Sequence, residues 1–121
     1  MEYKFRGFDI IGNKWVYGDL VHNQKVTKTG LEPRVMVGGY EVAPESVGLW
    51  TGLKDKNGKD IFAGDRIMLE CVGVFYVRYS TTMCQFALHG KNGFIDALKE
   101  LQVDRYEVIG NVYQNKELLE K

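Results

Sequence analysis

The chain has 121 residues, of which 45% are apolar, 12% aromatic and 26% charged, and its sixteen Lys and Arg balance sixteen Asp and Glu. That length suits one domain, the composition is that of a folded globular protein rather than a disordered one, and no stretch approaches the roughly 20 apolar residues that span a bilayer. The zero net charge argues against a dedicated duplex-binding protein, whose affinity comes largely from neutralising phosphates, although a local basic strip can hide within it.

Tyr3 to Phe8 alternates aromatic and charged residues, which predicts a half-buried strand that Gly7 bends or ends. Asp9 to Asn13 follows as a turn, and Trp15 to His22 as a second strand interrupted by a bulge at Gly18-Asp19, so a hairpin is expected. Asn23 to Pro33 is polar, contains Gly30 and Pro33, and reads as a loop. Lys25, Lys28 and Arg34 are the candidate basic cluster there, set against the simpler reading of charges facing water. Arg34 to Val42 predicts two short strands about Gly38-Gly39, Ala43 to Ser46 a turn or a single helical turn, and Val47 to Leu53 an apolar strand holding Trp50.

A repeat then becomes visible. Asp9, Gly12, Gly18 and Asp19 in DIIGNKWVYGDLV recur as Asp55, Gly58, Gly64 and Asp65 in DKNGKDIFAGDRI. Asp and Gly at turn positions around a short apolar strand describe a β-hairpin element used twice. Arg66 to Leu88 is strand-prone almost throughout, with breaks at Gly73 and Ser80 to Thr82. Its run Val74 to Tyr79 predicts a central strand buried on both faces, or a long curved strand that changes partners. Phe94 to Leu101 has Ile95 and Leu98 at helical spacing and predicts a short helix or 3-10 turn. A strand over Arg105 to Tyr113 follows, and Asn115 to Lys121 reads as one terminal helical turn capped by Asn115. The sum is an all-β chain of short strands. Its C-terminal half has the rhythm of an SH3-like small barrel or roll, with an N-terminal β-hairpin extension and short helical turns.

The chemistry in this pattern is sparse. Aspartates at 9, 19, 55, 60 and 65 could form an acid-base or cation cluster, but aspartate beside glycine more often caps its own turn. Cys71 and Cys84, in strand-like surroundings, are expected to be small buried hydrophobes. With His22 and His89 they lack metal-ligand spacing, and a Cys84–His89 nucleophile pair competes with a buried thiol and a surface histidine. No enzyme activity, metal or cofactor is expected, the least favoured alternative being an enzyme with a noncontiguous site that holds Asp19 or Asp65 beside His22 or His89. Aromatic residues exceed what one small barrel must bury, and Tyr40 and Trp50, flanking the Pro44 turn, are the candidate interaction surface. The alternative use of such aromatics is stacking nucleic-acid bases.

Four stretches in succession, KFRGFD, WVYGDL, YEVAPESVGLWTGLKDKNGKDIFAGD and YEVIGNVYQNKELL, resemble the YopX family of phage and prophage proteins. The resemblance implies a single YopX-like domain over residues 1–121, with an N-terminal β subdomain to about residue 50 and an SH3-like barrel from about 51. It also implies self-association, hence a homo-oligomer, and a phage-encoded protein; the aromatic, β-rich sequence with neutral charge and no catalytic set leads to an interaction module that engages an unidentified host or phage protein. It supplies no catalytic residues. The charged N-terminus MEYKFRGFD lacks the apolar run of a signal peptide, so a cytoplasmic address in a bacterial host, without membrane contact, is expected. Asn23 to Val37 and Ser80 to Gly93 carry no family motif and are the expected seat of whatever is particular to this chain.

Overall fold

The computed structural model describes residues 3–81, 85–90, 93–98 and 104–114. They form twelve strands, every pairing between them is antiparallel, and no α-helix occurs among the described residues. The chain divides into two compact units, Met1–Leu49 and Trp50–Lys121.

In the first unit, β1 (Phe5–Asp9) and β2 (Lys14–Gly18) form the expected hairpin, with Phe5 opposite Gly18 and Asp9 opposite Lys14. Gly7 neither bends nor ends β1. It lies opposite Val16 in mid-strand, and a Cβ there would sit 2.8 Å from a methyl of Val42, so the glycine makes room for a core side chain. Residues Val16, Val37 and Val42 form that core, with Phe5, Leu20, Val35 and Val47 packed against it.

The break at Gly18-Asp19 is not a bulge within one strand. The chain leaves β2, which pairs with β1, and enters β3 (Leu20–Thr27), which pairs with β4 (Gly30–Val37) instead. Asn23 to Pro33, expected as a loop, is most of this hairpin. Polar residues misled because hairpin residues facing water need no apolar alternation. Pro33 is tolerated because β5 (Tyr40–Glu41) pairs with β4 only at Met36 and Val37, leaving the proline on an edge. Gly38 and Gly39 make the β4–β5 turn with φ of 58° and 88°, the left-handed pair of a type I′ turn. Pro44–Ser46 is the single 3-10 turn expected there. The Ser46 hydroxyl donates to the Ala43 carbonyl at 2.6 Å and accepts the Phe8 amide at 2.7 Å.

In the second unit, the later part of β6 (Gly48–Lys54) pairs with β7 (Asp60–Phe62), the second use of the hairpin element. A five-stranded sheet follows in the order β11-β10-β9-β8-β12. Its strands are β8 (Asp65–Leu69), β9 (Gly73–Ser80), β10 (Gln85–Gly90), β11 (Gly93–Ala97) and β12 (Tyr106–Asn111). Ile61, Ile67, Val77, Leu88 and Tyr106 are its fully buried core.

Two expectations need correction here. β9 is central in the sheet but is not buried on both faces: Val77 is enclosed, whereas Val74, Arg78 and Tyr79 are exposed. The Phe94 segment is strand β11, not a helix. Ile95 and Leu98 fit a three-residue spacing, but in so short a run periodicity cannot outweigh the pairing edge that β10 offers. Leu101 and the terminal turn from Asn115 lie outside the described residues.

Candidate interaction surfaces

Three of the four repeated aspartates, Asp9, Asp55 and Asp65, face inward, toward backbone amides. Asp9 Oδ1 accepts the Gly12 amide at 3.0 Å. Asp55 does more: Oδ1 accepts the amides of Asn57 at 2.8 Å and Lys59 at 2.9 Å, while Oδ2 accepts that of Val108 at 2.9 Å. Burial alone would push the Asp55 carboxyl up; the amides of Val108, Lys59 and Asn57 and the Lys59 ammonium outweigh it and hold it below the ordinary value of 3.8. Asp65, fully buried, accepts the Phe62 amide at 2.8 Å, whereas its counterpart Asp19 is exposed. The two copies thus share a hairpin and differ at the second Gly-Asp. Gly58 and Gly64 adopt φ of 80° and 95° and Gly18 a φ of 144°, while Gly12 packs its Cα against the Asp9 carboxylate. Among the described residues no group of three or more His, Cys, Asp or Glu is arranged to hold a metal ion.

Tyr40 is exposed on β5, with the Lys14 ammonium 4.4 Å from its ring centre. Trp50 is half-buried and its indole N–H donates to the Leu53 carbonyl at 3.2 Å, so it belongs to the packing of its own strand. Tyr40 and Trp50 fall in different units. Cys71 is not the buried hydrophobe expected: it is exposed at the β8–β9 turn with φ of 64°, because the three residues joining the strands require one left-handed position. Cys84 lies outside the described residues. His22 is exposed on β3, and His89 is half-buried on β10. Burial, then the nearby Arg78 guanidinium, holds the His89 imidazole below 6.5.

The β3–β4 hairpin carries a surface that its polar composition concealed. Its register puts Leu20/Val37, His22/Val35, Gln24/Pro33 and Val26/Leu31 on one face. That face begins in the core at Val37 and runs out to Val26 and Leu31, which are 84% and 65% exposed. The opposite face is satisfied internally: Arg34 Nε donates to Asn23 Oδ1 at 2.6 Å and Lys25 pairs with Glu41 at 2.9 Å. Two members of the candidate basic cluster, Lys25 and Arg34, are thereby taken up in local pairs. Among the described residues no strand covers the outer edge of β3.

A second surface lies on the sheet of the other unit. Ile67, Phe75, Val77 and Leu88 point into the core, so alternation sends Arg66, Tyr76, Arg78 and His89 to the opposite side. Arg66 is opposite Tyr76, and Tyr76 opposite His89, in one row across three strands. The Tyr76 and His89 rings lie 5.9 Å apart at 34°, and the Arg78 guanidinium is 5.9 Å from the Tyr76 ring centre. Sequence reading passed over this row because three strands contribute one or two residues each. The outward alternation Tyr76, Arg78 within β9 was the signal that could have revealed it.

Among the described residues no helix is long and apolar enough to cross a membrane. No curated protein matches the chain significantly. The crystal structure of protein EF1440 from Enterococcus faecalis is similar over 98% of this chain and 99% of that one, with a TM-score of 0.59 and 24% sequence identity, which establishes a shared fold. Residues 4–120 match the family described as YopX protein, nearly the whole length over which the hairpins and sheets have been traced, and the chain belongs to that family.

Proposed function

We propose that the chain is a non-catalytic interaction module, encoded by a phage or prophage and acting in the bacterial cytoplasm, and that it self-associates through the β3–β4 hairpin. The observation that carries this reading is the apolar face ending in Val26 and Leu31, directly opposite one another and mostly exposed. Such side chains favour burial at roughly 25 cal/mol per Å² of apolar surface. A second copy is the occupant because the outer edge of β3 is self-complementary: antiparallel pairing about a two-fold axis would satisfy both edges at once and bring both apolar faces together. The inward-facing carboxylates Asp9, Asp55 and Asp65 support a structural rather than a catalytic use of the acidic residues.

In the same reading the unit Trp50–Lys121 is an SH3-like barrel. Five antiparallel strands around one core, with a helical turn at residues 104–105 directly before the last strand, support it. The test is solution mass by size exclusion with light scattering, for the chain and for the double variant V26K/L31K. Because both residues are exposed, the variant should keep the parent's circular dichroism and fall from oligomer to monomer. A parent that is itself monomeric, or a variant of unchanged mass, would overturn the reading.

A further inference from the structure

We propose that the outer face of β8, β9 and β10, built on Arg66, Tyr76, Arg78 and His89, binds single-stranded nucleic acid. The four side chains stand on one side of the sheet, opposite the core, in a row and its neighbouring position. The row supplies both components that an unpaired strand requires. Arg66 and the exposed Arg78 offer cationic groups for phosphates, and the half-buried Tyr76 offers a ring for a base, with the His89 ring, its Nε2 enclosed, beside it. Arg78, stacked toward Tyr76, also presents a guanidinium plane on which a base can lie.

Charge complementarity selects the class of partner. The chain as a whole is neutral, yet among the described residues of β8, β9, β10 and β12 the two arginines on this face meet one carboxylate, Glu107 opposite Met68, with Glu70 just beyond the end of β8. The rings select within that class. Duplex bases are already stacked on each other and do not reach a flat sheet, and an acidic peptide would engage the arginines while leaving the rings without a planar partner. Affinity resting on two arginines is modest and sensitive to salt.

The test is fluorescence anisotropy of a labelled oligothymidine titrated with the full chain across a salt series, with R66E/R78E and Y76A as variants and thermal melts to show that they remain folded. Binding should weaken with added salt with a log–log slope of about −1.4, as two phosphate contacts require. R66E/R78E and Y76A should each lose about tenfold or more, and poly-glutamate should fail to displace the oligonucleotide. Absence of binding at the lowest salt, folded variants that bind as the parent does, or displacement by poly-glutamate as effective as by unlabelled oligothymidine would each overturn the proposal. The last result would hand the face to an acidic peptide.

Discussion

Asp55 and Val108 are 53 residues apart in the chain, and the carboxylate of the first accepts the amide of the second at 2.9 Å. Because the other Asp55 oxygen holds the amides of Asn57 and Lys59, one buried side chain both closes its own turn and fixes β12 where that strand bulges. Asp9, the matching residue of the first hairpin, accepts one local amide. The repeated motif therefore bears unequal weight in its two settings.

Asp55→Asn should accordingly destabilise the fold. The amide side chain keeps one acceptor and turns an NH2 toward a backbone N–H, leaving at least one buried donor without an acceptor. The expected loss is about 2 kcal/mol, against about 1 kcal/mol or less for Asp9→Asn. Urea midpoints at neutral pH measure both; equal losses at the two sites would show that the Val108 bond contributes nothing beyond a local turn.

The same carboxylate predicts an acid limb. Its folded-state value lies below the ordinary 3.8, so the unfolded chain takes up the proton first as pH falls. Its contribution is complete above the unfolded value and is lost as pH drops through the folded one, a window from about pH 5 downward. Stability of the parent, followed by urea denaturation across that range, should fall more steeply than that of Asp55→Asn, and the difference between the two curves should shrink toward acid.

How far the sequence discloses this fold depends on where each element draws its stability. The β1–β2 hairpin and the Gly38-Gly39 turn are legible because alternation and turn chemistry lie within a few residues. The β3–β4 hairpin is not, since His22, Asn23, Gln24 and Lys25 resemble a loop when read alone and become a strand only through eight cross-strand pairs. β11 is hidden for a different reason: its pairing with the neighbouring β10 is local but shifts register between Leu88 and His89, which breaks the simple alternation that would mark a hairpin. The surfaces were hardest of all. Tyr40 and Trp50 are the conspicuous aromatics, yet the Trp50 indole is tied to Leu53, while the exposed apolar tip is Val26 and Leu31.

The β4–β5 turn offers a paired test. A Cβ on Gly39, with φ of 88°, meets nothing within 4 Å, so Gly39→Asn pays only what a left-handed asparagine costs, about 0.5 kcal/mol. Gly38 has a similar φ of 58°, but its Cβ would run into the carbonyl oxygen of Tyr17. Gly38→Asn should lose about 2 kcal/mol or more because backbone on both sides must move. Thermal melts of the two variants separate close approach from conformational preference, and matching midpoints would assign both glycines to preference alone.

Cys71 extends the same logic to a residue that is strained rather than accommodated. It holds φ of 64° at the β8–β9 turn, where the Val72 amide donates to the Leu69 carbonyl at 3.0 Å, and its thiol is exposed. A side chain with a Cβ costs about 1 kcal/mol in that region, which glycine avoids and asparagine reduces. Cys71→Gly should therefore raise stability by roughly 0.5–1 kcal/mol despite the added freedom of the unfolded chain. In the parent, the Cys71 thiol should react with a disulfide reagent in native buffer as fast as a free peptide thiol does, and Cys71→Gly should lose one equivalent of that fast phase. A thiol that reacts only on unfolding, or a glycine variant that melts lower, would contradict the exposed left-handed turn.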